Sequence, residues 1–290
     1  MTEARVECVW PVGAKLGEGP FWSAAEQALW FVDIKGCKIH RFHEPTGATQ
    51  SWDTPPDPSF ILPTRAGGYV VGLRAGLHRF DPKTGAFTLL CAVEPDAPHN
   101  RLNDAYVDAD GYLWFGSMDD NETEPTGALY QLTDSGCVRR DEGYVITNGP
   151  CVCHRNHTLY HTDTLKKEIY AFVKTATGEV SGKRLFVKID EGYPDGPVTD
   201  STGMLWTGLF GGWGVNCYSP EARLLGKVRL PCANVTKVAF GGPDLRTLYI
   251  TTAWKGLTPE QRGAQPLAGG LFRARVDVPG LPQNTIAHGV

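Results

Sequence analysis

Leu102–Gly116 reads LNDAYVDADGYLWFG. A polar residue, Asn103, stands ten positions ahead of Leu113-Trp114, and an Asp-Ala-Asp-Gly turn interrupts the alternation between them. The arrangement recurs along the chain. Leu29-Trp30-Phe31 has Glu18 eleven positions ahead, and Tyr69-Val70-Val71 has Ser59 ten ahead. Leu159-Tyr160 has Asn148 eleven ahead, and Leu205-Trp206 has Asp195 ten ahead. Leu248-Tyr249-Ile250 has Val235 or Thr236 near that offset. The six anchors lie 40, 44, 46, 46 and 43 residues apart. Units of roughly 40–50 residues point to a propeller or a solenoid.

The second half of each unit decides between the two. An aromatic-rich strand follows each anchor, as in Lys38-Ile39-His40-Arg41-Phe42 or Glu168-Ile169-Tyr170-Ala171-Phe172. Turn residues come next, for instance Asp81-Pro82-Lys83-Thr84-Gly85, and then a further strand such as Phe87-Thr88-Leu89-Leu90. Four strands per unit make a blade, and no helical period runs long enough for a helical repeat. The expectation is an all-β, six-bladed propeller of four-stranded antiparallel blades, one domain over residues 1–290.

The last unit lacks an obvious fourth strand after Leu271–Val276. Val6-Glu7-Cys8-Val9-Trp10 is expected to supply it and close the ring, since an unpaired edge is a liability. The tail 279–290 is polar and rich in Gly and Pro, and is expected to be loosely held.

Composition limits the partners. The net charge of -4 carries no block of like charges, so neither nucleic acid nor an anionic membrane is an expected partner. No stretch reaches the length of a membrane-spanning helix, and the N-terminus lacks the apolar run of a secretory signal. The eight cysteines form no C-x-x-C pair and no zinc spacing; they read as free thiols in a reducing, cytoplasmic setting. A monomer is expected.

In a propeller the first strand of every blade faces the axis, so equivalent positions form a ring at the channel mouth. That ring reads Glu18, Ser59, Asn103, Asn148, Asp195 and Val235 or Thr236. Glu18, Asn148 and Asp195 are each followed by glycine. Two ionised carboxylates about 4 Å apart repel by roughly 4 kcal/mol at an effective dielectric near 20. Either one takes up a proton or a cation compensates. Two anionic and two amide oxygen donors suit a hard or borderline divalent cation. The alternative is that these residues only cap strand ends and hold channel water. Arg101, two residues before Asn103, faces the same way on an extended strand. There it either meets a substrate oxygen or makes an ordinary ion pair. No G-x-S-x-G elbow and no phosphate loop is present, and Trp213 either walls the pocket or covers a blade edge.

At these residues the chain resembles the family of senescence marker protein 30, gluconolactonase and luciferin-regenerating enzyme. The likeness runs through LGEGP at Glu18, RLNDA, TNGP, YPDGPVTDSTGMLW, VTKVAFGGPDLRTLYITTA and PLAGGLF. It implies a six-bladed propeller with one divalent cation on the axis, held by Glu18, Asn148 and Asp195. The family's metals include iron (Fe2+), zinc, calcium, manganese and magnesium. The resemblance puts Arg101 and Asn103 on the substrate, with Asn103 near or on the metal, and makes Asp195 the general base. A further substrate contact falls within Asp119-Asp120-Asn121-Glu122, assigned here to Asn121, where some relatives carry an acidic residue. The implied activity is hydrolysis of a sugar lactone to the aldonic acid, with xylonolactone, arabinonolactone or gluconolactone as substrate. A calcium-dependent arylesterase or phosphotriesterase, or a binding propeller with a structural ion, are the alternatives. A metal-bound carboxylate has a lowered pKa, so Asp195 acts either as base or as ligand and orienter.

Overall fold

The computed structural model describes residues 5–290. Six four-stranded antiparallel sheets follow one another around a ring, numbered here as blades 1 to 6. Their first strands are Gly17–Ser23, Phe60–Pro63, Asn100–Val107, Thr147–Cys153, Tyr193–Thr199 and Asn234–Gly241. These pack on one another around the axis. Burial falls off outward. Ala28–Asp33, the second strand of blade 1, is buried throughout, whereas its outermost strand, Ala48–Asp53, is almost wholly exposed. The all-β propeller read from the anchors is the fold observed.

The anchors are the second strands, and their aromatics fill the space between neighbouring blades. Trp30, Trp114, Tyr160 and Tyr249 are each at most 2 % exposed. The turns before Trp114 and before the equally buried Trp206 explain the repeat. Asp108 Oδ1 accepts the backbone N–H of Asp110 and Tyr112, both at 3.0 Å, while Oδ2 accepts Trp114 Nε1–H at 2.8 Å. Asp200 does the same for Thr202, Met204 and Trp206 in blade 5. Gly111 and Gly203 take the left-handed conformation these tight turns need, with φ of 89° and 88°. One aspartate thus fixes both the turn and the following tryptophan.

Val6–Trp10 is the outermost strand of blade 6. It pairs antiparallel with Leu271–Arg275 in the register Val6–Ala274, Glu7–Arg273 and Cys8–Phe272. The ring is closed as the missing strand requires.

The tail overturns its expectation. Residues 279–290 run as an ordered strap across the end of the ring opposite the ring of polar residues. Gly280 N–H donates to Leu245 O in blade 6, Ser201 N–H in blade 5 donates to Pro279 O, and Ala287 N–H donates to Gly111 O in blade 3. Ile286 forms a parallel bridge with Thr64 of blade 2 and is fully buried. A polar composition misled here because the strap is held largely by backbone groups, with Asn284 donating to Val107 O, His288 stacked on Tyr112, and only Ile286 and Val290 packed on the core. A single-turn helix, Pro259–Ala264, lies in the insertion before the last strand of the chain, closed by a Thr258/Gln261 capping box.

Candidate active site at the propeller axis

The polar residues of the ring occupy β-bulges. Register breaks at Glu18/Phe21, Leu102/Ala105, Asn148/Cys151, Pro194/Pro197 and Val235/Val238, in five of the six first strands. A bulge leaves residues unpaired and re-aims their side chains. Here it turns Glu18, Asn103, Asn148 and Asp195 into one axial cavity of about 290 Å³, which Arg101 also lines. All five are at most 6 % exposed. The first strand of blade 2 has no bulge, and Ser59 Oγ is occupied by donating to Gly72 O at 3.0 Å. In blade 6 the equivalent of Glu18 is Thr236, whose hydroxyl donates to Gly17 O at 2.6 Å across the seam with blade 1.

Hydrogen bonds lock the amides. Asn103 Nδ2 donates to Thr147 O at 2.6 Å and to Asn148 Oδ1 at 3.0 Å. Asn148 Nδ2 donates to Thr164 Oγ1 at 2.9 Å, and Thr164 Oγ1 donates to Pro194 O at 3.0 Å. Arg101 Nη1 donates to Asn103 Oδ1 at 2.7 Å and to Leu102 O at 2.9 Å, while its Nε meets Asp120 Oδ1 at 2.7 Å. Its Nη2 has no hydrogen-bond partner among the described residues. Burial would raise Asp120, yet Lys35, Arg101 and Arg74 together hold it well below the ordinary carboxylate range.

The carboxylates stand differently. Glu18 Oε2 accepts the Gly19 N–H at 3.0 Å and Asp195 Oδ1 accepts the Gly196 N–H at 2.9 Å. No basic side chain forms an ion pair with either among the described residues. Burial first, then the charges of Asp195 and Asp104, pushes Glu18 well above its ordinary value. Burial and the Asp104 charge push Asp195 up to about 7.

Residues 16–254 match the family described as SMP-30/Gluconolactonase/LRE-like region. The chain belongs to this SMP-30/gluconolactonase family. It is 32 % identical over 286 residues to 6-deoxy-6-sulfogluconolactonase of Pseudomonas putida, covering 97 % of this chain and 98 % of that one. It is 32 % identical to regucalcin of Xenopus laevis over 94 % of this chain and 95 % of the relative. Among solved structures it matches a calcium-binding regucalcin of Agrobacterium tumefaciens with a TM-score of 0.94, at 25 % identity over 98 % of both chains.

The donor set fits the divalent cation that the SMP-30/gluconolactonase family implies. Two buried carboxylates without a cationic partner, beside the Asn148 amide oxygen, make an all-oxygen site with an excess of negative charge. A cation there favours the ionised form of both carboxyl groups, against the burial and neighbouring negative charge that raise them.

Not every residue singled out from the sequence reaches this cavity. Asn121 is exposed on the turn after blade 3's second strand, with its backbone N–H on Asp119 Oδ1, and does not line the cavity. Its neighbour Glu122 does, in an ion pair with Lys255. Trp213, 44 % exposed, is likewise outside the lining. Sequence reasoning left Glu122 undecided within the run Asp119–Glu122 and missed Thr164 and Lys255, and also the buried pair Asp104–Lys237 beneath the ring. The pair had a signal. The residue after each bulged ring position is Gly19, Asp104, Gly149, Gly196 or Lys237, so two charges stand among three glycines.

Proposed function

We propose that the protein hydrolyses the ester bond of a sugar lactone to the aldonic acid at this axial cavity, in a divalent-cation-dependent reaction. The substrate we propose is a pentonolactone of the xylonolactone or arabinonolactone type, or gluconolactone, in sugar breakdown in the cytoplasm. The observation that carries the reading is the meeting of Glu18, Asn148, Asp195 and Arg101 in one buried cavity of about 290 Å³. Its size suits one sugar ring. The relative named for a sulfogluconolactone supports the reaction class.

Glu18, Asn148 and Asp195 would hold the cation. Once bound, it would polarise the lactone carbonyl and acidify a nearby water. Arg101 is fixed by Asp120, Leu102 O and Asn103, so its unpartnered Nη2 meets the substrate's oxygens without reorganising. Asn103 spends both amide N–H bonds on Thr147 O and Asn148 Oδ1, and so orients Asn148 and Arg101. Asp195 accepts the proton of the attacking water. Burial and the Asp104 charge raise its proton affinity, which offsets the lowering a bound cation brings.

The test is a pH-stat assay with five- and six-carbon aldonolactones, an aryl acetate and a phosphotriester, each with and without chelator. Lactone turnover that falls on chelation and returns with added metal is the expected result. Turnover of the aryl acetate or phosphotriester alone, or of none of the substrates, would overturn it.

A further inference from the structure

Directly below the ring, the channel is crossed by one buried ion pair. Lys237 Nζ, from blade 6, meets Asp104 Oδ1, from blade 3, and donates to Ala105 O at 2.9 Å. The side chains are 5 % and 2 % exposed. Asp104 follows Asn103, and its Oδ1 also accepts the Ala105 N–H at 2.7 Å. Its Oδ2 accepts the N–H of Gly149, the residue after Asn148, at 2.9 Å. Gly196, the residue after Asp195, lies against both partners. A Cβ there would stand 2.4 Å from Asp104 Oδ2 and 2.8 Å from Lys237 Cδ. One ion pair thus bears on the backbone beside Asn103, Asn148 and Asp195. The glycines of Asn148-Gly149 and Asp195-Gly196 are where that pair comes close.

From this geometry we infer that Asp104 and Lys237 are positioning residues, a strut across the channel that fixes the spacing of Asn103, Asn148 and Asp195. Neither reaches the cavity lining. The strut acts through the Gly149 N–H bond and the Gly196 contact. Removing one partner leaves the other as an uncompensated buried charge, which is strongly destabilising where it stands. The inference rests on the axial site being where this chain works.

An alternative to a strut is plain field strength, and the two predict opposite results for Lys237→Met. Removing a positive charge near a cation site tightens cation binding, and removing a negative one weakens it. Loss of positioning weakens binding either way. The experiment titrates full-length protein with Mn2+ by calorimetry for the parent, Lys237→Met, Asp104→Asn, the double variant and Gly196→Ala, with thermal melting of each. Both single variants and Gly196→Ala should bind Mn2+ at least about tenfold more weakly. The double variant, unlike either single one, leaves no unpaired buried charge, keeps an amide oxygen at position 104 that can accept the Gly149 N–H, and should lie within about threefold of the parent. On a five-carbon aldonolactone at saturating Mn2+, kcat should fall in the single variants more than KM rises. Tighter binding by Lys237→Met with weaker binding by Asp104→Asn overturns the strut. So does a double variant no better than either single one. Gly196→Ala changes no charge, so it decides the matter should the single charge variants fail to fold. A parent that binds Mn2+ but opens no lactone refutes the proposed reaction and leaves the strut to the binding arm. A parent that binds no Mn2+ overturns both.

Discussion

Asp195 and Arg101 share a cavity wall but carry different chemistry, and substitution separates them. Asp195→Asn keeps the size and one oxygen donor while losing a charge and the ability to accept a proton. On the proposed reaction, kcat should fall on the order of a hundredfold or more, the range of general-base loss. Arg101→Ala leaves both carboxylates and the cation donors in place. It should raise KM, lowering kcat only as far as the Nη2 contact tightens in the transition state. Steady-state kinetics on a five-carbon aldonolactone at saturating metal reads both. Parental turnover by Asp195→Asn would move catalysis away from the axis. The same aspartate sets a pH dependence of stability in chelated protein. Its folded pKa, about 7, lies above that of the unfolded chain. The folded state therefore keeps a proton that the unfolded state has released. Stability is highest below roughly pH 4 as far as this group is concerned, and is lost as pH rises to about 7. Glu18 is shifted the same way and adds to the effect. In chelator, the melting temperature attributable to this site should fall between pH 5 and pH 8, added divalent cation should restore it at pH 8, and Asp195→Asn should flatten the slope. A chelated parent as stable at pH 8 as at pH 5, with the variant showing the same profile, would contradict the assignment.

At the scale of the strand, the ring was legible because every first strand repeats one pattern. Glu18, Asn103, Asn148 and Asp195 could be read by counting back ten or eleven residues from an anchor. The count wavers because the turns between first and second strands differ in length, which is why Val235 and Thr236 competed for the sixth place. The bulge itself was written only as glycine after three ring residues. The Asp104–Lys237 pair was not legible as a contact, because its partners are 133 positions apart and meet only when blades 3 and 6 face each other. Asn121 and Glu122 were indistinguishable for a local reason: one residue of turn register decides which side chain enters the cavity. The closing strand was legible because a blade short of one strand leaves an edge. Deleting residues 1–10 removes Val6–Trp10 from blade 6 and exposes Leu271–Arg275 as a new edge. The truncated chain should melt far below the parent and aggregate on heating. Equal melting by calorimetry would show that the ring holds without this strand.

For the whole molecule, the closing strand is only one of two ties. It joins the ends of the ring within blade 6, where Arg273 also reaches Glu44 of blade 1 at 2.9 Å. The C-terminal strap acts across the ring. It bonds to blades 6, 5, 3 and 2, and its Leu281–Asn284 segment lines a small cavity together with Lys237, at the end of the channel away from the axial cavity. Blades far apart in sequence cannot splay at that face without breaking it. None of this showed in the sequence of the tail, because backbone bonds to Leu245, Ser201, Gly111 and Pro63 depend on where other blades put their turns. Ile286 is the fully buried apolar anchor, set in the core of blades 1 to 3, against which Val290 also packs. Ile286→Ala should cost about 2–4 kcal/mol by the usual range for a buried large-to-small change. That corresponds to a drop in melting temperature of roughly 3–7 °C for a chain of this size. Deleting residues 279–290 should cost more. It should also speed amide exchange at Ile286's partner Arg65 and in the Asp108–Tyr112 turn, while exchange in the Leu271–Arg275 strand changes little. Calorimetry and hydrogen exchange on the two variants measure both effects. If the deletion melts with the parent, the strap is an ordered passenger, and the ring's integrity rests on the blade 6 closure alone.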